Sequence, residues 1–225
     1  ENLMSSDRKN SLIKVYLILL IIISGVYPVL SQDNENEFWM GMEIEFEITK
    51  KLDFEYEQEI RLRNSGKNMK NTIASYGFQY DLHDYVDLAI AYRYNLYTDK
   101  KQHEWRSTIY LEYEIDRFGF QLRSRYDREY RVEDDNRLFW RNKFTIDYNL
   151  KGPVNPYVST EAYYRSNWDK RDRFVKYRLS AGVEINLENG HELDIFYRYE
   201  NEINIEEPDI ERILAFYYKY SFDLH

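Results

Sequence analysis

The chain has 225 residues, 17% of them aromatic and 32% charged, and it contains no cysteine. Twenty-three tyrosines and twelve phenylalanines exclude disorder, because disordered segments are poor in aromatic and β-branched residues, and the lack of cysteine excludes disulfides, thiolate chemistry and cysteine zinc sites. A net charge of −9 argues against a nucleic-acid partner, which calls for a basic face.

The N-terminal region reads as an export segment. Arg8, Lys9 and Lys14 precede an apolar run from Val15 to Ile23, followed by Ser24, Gly25, Pro28 and the small-residue site ending at Ser31. A basic region, a short apolar core and a small residue before the cut form a secretory signal peptide. Residues 1–32 are therefore expected to be an N-terminal extension with its signal peptide, and residues 33–225 a single domain. The alternative, an uncleaved anchor helix, is disfavoured by Pro28 and by a length short of the roughly 20 apolar residues a span requires.

From Phe38 onward the pattern has period two. Phe38, Met40, Met42, Ile44, Phe46 and Ile48 hold the even positions of the first segment, with Glu43, Glu45 and Glu47 on the odd ones. A helix would scatter those glutamates around its circumference, whereas a strand sets them on one face. In the second segment Leu52, Phe54, Tyr56, Ile60 and Leu62 oppose Glu55, Glu57, Glu59, Arg61 and Arg63. The alternation continues through 74–80, 86–96, 106–115, 118–127, 137–148, 158–165, 175–187, 192–200 and 214–223. In 175–187 it puts Val175, Tyr177, Leu179 and Val183 on the apolar face, opposite Arg178 and Glu184. No helical segment follows the export segment.

The connections alternate as well. Short turns fall at 49–51, 82–84, 116–117, 151–153 and 188–190, the last holding the Asn189-Gly190 hairpin signal. Longer polar loops fall at 64–71, 98–103, 129–136, 167–172 and 204–209. Short turns at one end and long loops at the other predict an all-β, up-and-down antiparallel transmembrane β-barrel of ten to twelve strands. Eleven segments are legible, but bacterial single-chain barrels have even strand numbers, so twelve is preferred.

Alternation alone does not say which face meets lipid. Soluble strands average about 5 to 6 residues, and these run well beyond the roughly 9 to 11 of a tilted membrane strand. Trp39, Tyr97, Trp105, Tyr148, Tyr157 and Tyr220 lie near segment ends, where interfacial girdles belong. The apolar face is therefore expected to point to lipid and the charges into the lumen. The expected lumen residues are Glu55, Glu57, Glu59, Arg61, Arg93, Arg106, Glu112, Arg123, Arg125, Arg141, Lys143, Glu161, Arg178, Glu184, Arg198 and Glu200. They serve either as cross-strand ladder partners or as a selective conduit.

Several stretches of this pattern resemble one bacterial family. Phe38-Trp39, the run from Leu52 to Arg63, Tyr76-Gly-Phe-Gln-Tyr80, Leu88 to Tyr94 and Leu122-Arg-Ser-Arg125 are similar to the family catalogued as domain of unknown function 2490. The resemblance covers essentially the whole exported chain and rests on patterned strands rather than catalytic signatures. It implies a barrel in the outer membrane of a Gram-negative bacterium, with no activity to carry over. One departure is the C-terminus, where Phe222 is followed by Asp-Leu-His instead of ending the chain, although Tyr218 to Phe222 still resembles the aromatic signal read by the barrel-insertion machinery.

Chemistry has few candidates. His83 and His191 fall at short turns, His103 in a loop and His225 at the terminus, and none forms the compact nucleophile-and-base arrangement of a hydrolase. The run Glu133-Asp134-Asp135 reads as a solvated loop, with weak calcium binding the alternative. The expectation is a non-enzymatic barrel, structural or a narrow porin-like passage for small polar solutes. It has no cofactor or metal, and its partners are outer-membrane lipid and, during assembly, the insertion machinery. The rivals are a barrel enzyme hydrolysing lipid or peptide, and a soluble periplasmic β-barrel binding an apolar ligand with its faces inverted.

Overall fold

The computed structural model describes residues 36–63, 66–97, 101–131, 136–166, 173–187 and 189–223. The export segment, the acidic run Glu133 to Asp135 and the 167–172 loop lie outside the described residues.

Eleven strands follow one another: β1 (Asn36–Thr49), β2 (Leu52–Arg63), β3 (Asn68–His83), β4 (Val86–Tyr97), β5 (Lys101–Ile115), β6 (Phe118–Arg131), β7 (Arg137–Tyr148), β8 (Val154–Arg165), β9 (Arg173–Asn186), β10 (His191–Glu202) and β11 (Ile210–Asp223). Each pairs with its neighbours in sequence, and the sheet closes into a barrel through β1 and β11. That closing pair is parallel, from Asn36 opposite Arg212 to Glu47 opposite Asp223. The preference for twelve strands is therefore corrected to eleven, and the all-antiparallel arrangement to a mixed one. With an odd number of alternating strands the first and last enter the ring pointing the same way, so closure is parallel. Parallel hydrogen bonds are slanted and slightly weaker, but here they extend along almost the whole of β1.

The period-two pattern decides which side chains face out. Ile90 and Val158 expose 52% and 55% of their surface, whereas Glu59 and Asp127 expose 2%. Apolar side chains coat the outer wall and ionic ones fill the inside. The turn at Asn189-Gly190 has φ of +60° and +77°, the left-handed pair that a tight hairpin between right-twisted strands requires. A Cβ on Gly190 would also lie 2.6 Å from the Ser221 carbonyl oxygen.

Three local expectations are revised. Residues 68–71 belong to β3, His103 to β5 and residues 129–131 to β6, because polar residues near the rim still alternate and still pair. Val175 is buried instead of facing out, since a β-bulge shifts the β8–β9 register, with Tyr163 opposite Lys176 and Tyr164 opposite Phe174. The extra residue in a bulge changes which way one side chain points.

The third revision concerns the girdles. Trp39, 2% exposed, packs inside the barrel with Phe196, Ile213 and Ala215, and Tyr157 and Tyr217 lie against them. Tyr97 also points inward, lining an internal cavity. The interior thus has an apolar patch along β10, β11 and β1, beside the parallel closure. Gly41 makes room for it, because a Cβ there would stand 2.2 Å from the Tyr217 ring.

Candidate functional site

Every second residue of each strand points into the lumen, and the strands deliver their charges to it in register. Two chambers lie in series along the axis. One, of about 410 Å³, is at the long-loop end and reaches Lys70, Arg137 and Ile205. The other, of about 480 Å³, extends toward the short turns and reaches Glu45, Glu192 and Lys219. Arg61, Arg93, Arg106, Arg141 and Arg178 line both. These five guanidinium groups form the partition between the chambers.

The partition is held by ion pairs. Arg61 pairs with Glu59, Arg93 with Glu57 at 2.9 Å, and Arg106 with Glu104. Arg141 reaches Asp127 at 2.9 Å and Glu161 at 3.0 Å. Arg178 reaches Glu200, and Glu161 at 3.3 Å. Glu161 also takes Arg123 at 2.6 Å and accepts a hydrogen bond from the Tyr163 hydroxyl at 3.3 Å. One buried carboxylate is therefore shared by three arginines on β6, β7 and β9. Removing one member of such a group leaves an uncompensated buried charge, which costs about 3 to 5 kcal/mol.

Aromatic faces support the cations from the apolar patch. The Arg61 guanidinium lies 3.7 Å from the Trp39 ring and Arg198 lies 4.6 Å from that of Phe196, a favourable arrangement where the cation is partly desolvated. The Trp39 indole N–H donates to Glu37 at 2.7 Å, and Glu37 in turn takes Lys70 at 2.6 Å.

The structure places Glu55, Glu57, Glu59, Arg61, Arg93, Arg106, Arg123, Arg125, Arg141, Lys143, Glu161, Arg178, Arg198 and Glu200 in the walls of the two chambers. Glu184 lies instead in a recess at the turn-end mouth, beside Asp147, Glu114 and Asn155. Glu112 is exposed, lining both that recess and the turn-end chamber, and it accepts from Gln121 at 2.6 Å. Sequence reasoning missed Glu104, Asp127, Tyr163 and Lys176. The first two share the inward parity of Arg106 and Arg125, so the signal was present. Tyr163, ringed by Arg141 and Arg178 at 4.3 and 4.7 Å, is missed because an aromatic residue is read as outward.

The three described histidines, His83, His103 and His191, are not among the residues lining these chambers, and His225 lies outside the described residues. His103 bonds Tyr92 through Nδ1, and His191 Nδ1 lies 2.5 Å from the Tyr218 hydroxyl. His83 packs against Tyr85. Glu43, Glu45 and Glu55 bring carboxylate oxygens within 4.8 Å of one another, but Lys219 already supplies a cation there, at 3.4 Å from Glu43 and 2.6 Å from Glu45.

A family model described as "Protein of unknown function (DUF2490)" matches residues 36–210, covering β1 through the start of β11. No curated protein matches the chain.

Proposed function

The chain belongs to the DUF2490 family, whose function is unknown, and we propose that it is a non-enzymatic outer-membrane barrel giving small polar solutes a narrow passage. The single observation that carries this reading is the pair of polar chambers in series inside a barrel whose outer wall is apolar. Apolar side chains on an outer wall are favourable against acyl chains and unfavourable against water. A closed barrel also leaves no unpaired backbone edge in lipid. Strands of 12 to 16 residues exceed the roughly 9 to 11 needed to span, and the export segment read from the sequence supplies the route. Outward Tyr218, Tyr220 and Phe222 on β11 support recognition by the insertion machinery, and lipid is the partner of the outer wall.

The soluble rival requires an apolar cavity, and both chambers are walled by ions. An enzyme requires a nucleophile with its base, and the three described imidazoles each sit against a tyrosine instead, His103 at Tyr92, His191 at Tyr218 and His83 at Tyr85. A purely structural barrel is favoured by one observation, the ion-paired arginine partition.

Planar-bilayer recording separates the two remaining readings. The passage reading expects small, discrete conductance steps from protein that shows heat-modifiable gel mobility. Folded protein that inserts without conducting would leave the structural reading.

A further inference from the structure

The turn-end chamber is not charged evenly across its width, and we infer that it takes a dipolar solute, a small molecule with a cationic group at one end and an anionic group at the other. The inference rests on the passage reading above and names its substrate class.

Cross-strand register supplies the first observation. On one wall Glu43 stands opposite Glu57, and Glu45 opposite Glu55. On another, Arg123 stands opposite Lys143 and Arg125 opposite Arg141. Like charges directly across a ladder are destabilising, and each wall carries two such pairs side by side. Both walls belong to the same chamber. In the ring order β1-β2 and β6-β7 lie on opposite sides, separated by β3, β4 and β5 one way and by β11, β10, β9 and β8 the other. Glu43, Glu45, Glu55 and Glu57 on one side and Arg123, Arg125, Arg141 and Lys143 on the other all line this one cavity.

Internal pairing supplies the second observation, because it does not cancel everything. Lys219 compensates Glu43 and Glu45, Arg93 compensates Glu57, and Glu161 compensates Arg123 and Arg141. Lys219 acts on Glu55 too, but its ion-pair contacts go to Glu43 and Glu45, so Glu55 is left without a contact on the acidic wall, and Arg125 and Lys143 without one on the basic wall. Among the described residues none of the three has an ion-pair partner. Arg125 donates to the Thr108 hydroxyl at 3.1 Å, and the Lys143 ammonium lies 6.0 Å from the Tyr157 ring, with Glu161 and Asp194 acting on it only from beyond ion-pair distance. A charge in a narrow lumen is costly until it is paired. A neutral solute offers neither wall a partner, and an anion satisfies one wall while meeting the other's repulsion. A dipolar solute satisfies both at once, its carboxylate toward Lys143 and Arg125 and its ammonium toward Glu55. The cavity of about 480 Å³ is within the roughly 300 to 1,000 Å³ of small-molecule sites.

Liposome swelling with the purified full chain tests this, using isosmotic diglycine, arabinose and sodium N-acetylglycinate, with heat-modifiable mobility as the folding control. Diglycine is expected to enter several-fold faster than arabinose. In Glu55→Gln and in Lys143→Met the ratio falls toward one, and in Lys143→Arg it is kept; if Lys143→Met does not fold, Arg125→Gln takes its place. Equal entry of diglycine and arabinose would overturn the inference and leave the passage standing. Faster entry of N-acetylglycinate than diglycine, indifferent to Glu55→Gln, would make this a plain anion site and also overturn it. No entry of any solute through folded protein would overturn the passage reading and the inference with it.

Discussion

At the scale of single residues, the lumen is organised around carboxylates that each serve several cations. Glu161 is the clearest, touching Arg123, Arg141 and Arg178. Glu161→Gln keeps the shape and removes the charge, so three guanidinium groups face one another with less compensation. The expected cost is about 3 to 5 kcal/mol, read as a lower urea midpoint for unfolding in detergent micelles with an unchanged slope. Adding Arg123→Gln should recover part of the loss, because it removes one of the stranded cations. A double variant whose loss equals the sum of the two singles would contradict the shared-carboxylate arrangement. The residue scale is also where reading by type misled. Trp39, Tyr97 and Tyr157 share the inward parity of Glu43, Arg93 and Glu161, so the alternation assigned them to the lumen. The expectation of aromatic girdles overrode it, and the position in the alternation was the better guide.

At the scale of the element, the strands were legible because each is a long run of period two, and only departures from that period escaped. The bulge at Val175 left no mark in composition, since Val175, Tyr177 and Leu179 read as one continuous apolar face. Two deletions test the bulge. Removing Val175 removes the extra residue and leaves a regular ladder, with Phe174 still outward and Lys176 still inward. Removing Leu179 shifts residues 173–178 by one position and turns Arg178 toward the outside, away from Glu161 and Glu200, because a one-residue slip exchanges the faces. The Val175 deletion should keep heat-modifiable mobility and the Leu179 deletion should lose it. The opposite order would contradict the assigned register. The start of β5 was placed too late and the end of β6 too early, at residues 101 and 131, for a related reason, in that polar residues of the rim were read as loop although they continue the ladder.

At the scale of the whole molecule, eleven segments were visible, and the preference for twelve came from a rule about even numbers. Eleven alternating strands imply a parallel closure, but nothing in a run of neighbouring hairpins records the register in which the two ends meet. The register of the seam, the apolar patch beside the seam and the two-chamber lumen are products of that closure, so they lay beyond a segment-by-segment reading. The charge distribution was half legible. Which residues face inward follows from parity, but the confrontation of an acidic wall with a basic one depends on which strands stand opposite in the ring.

The central claim is one of sidedness, with ionic residues toward water in the lumen and apolar residues toward lipid. The chain's lack of cysteine makes it directly measurable with two neighbouring positions on β3, Phe78, 46% exposed on the outer wall, and Gln79, on the wall of the turn-end chamber. Each is replaced singly by cysteine in protein reconstituted in liposomes. One sample is treated with a small water-soluble thiol reagent, the other labelled with a fluorophore and exposed to a lipid-borne quencher. Gln79→Cys should react with the aqueous reagent and resist the quencher, and Phe78→Cys should do the reverse. Quenching at position 79 together with aqueous reactivity at position 78 would contradict the account.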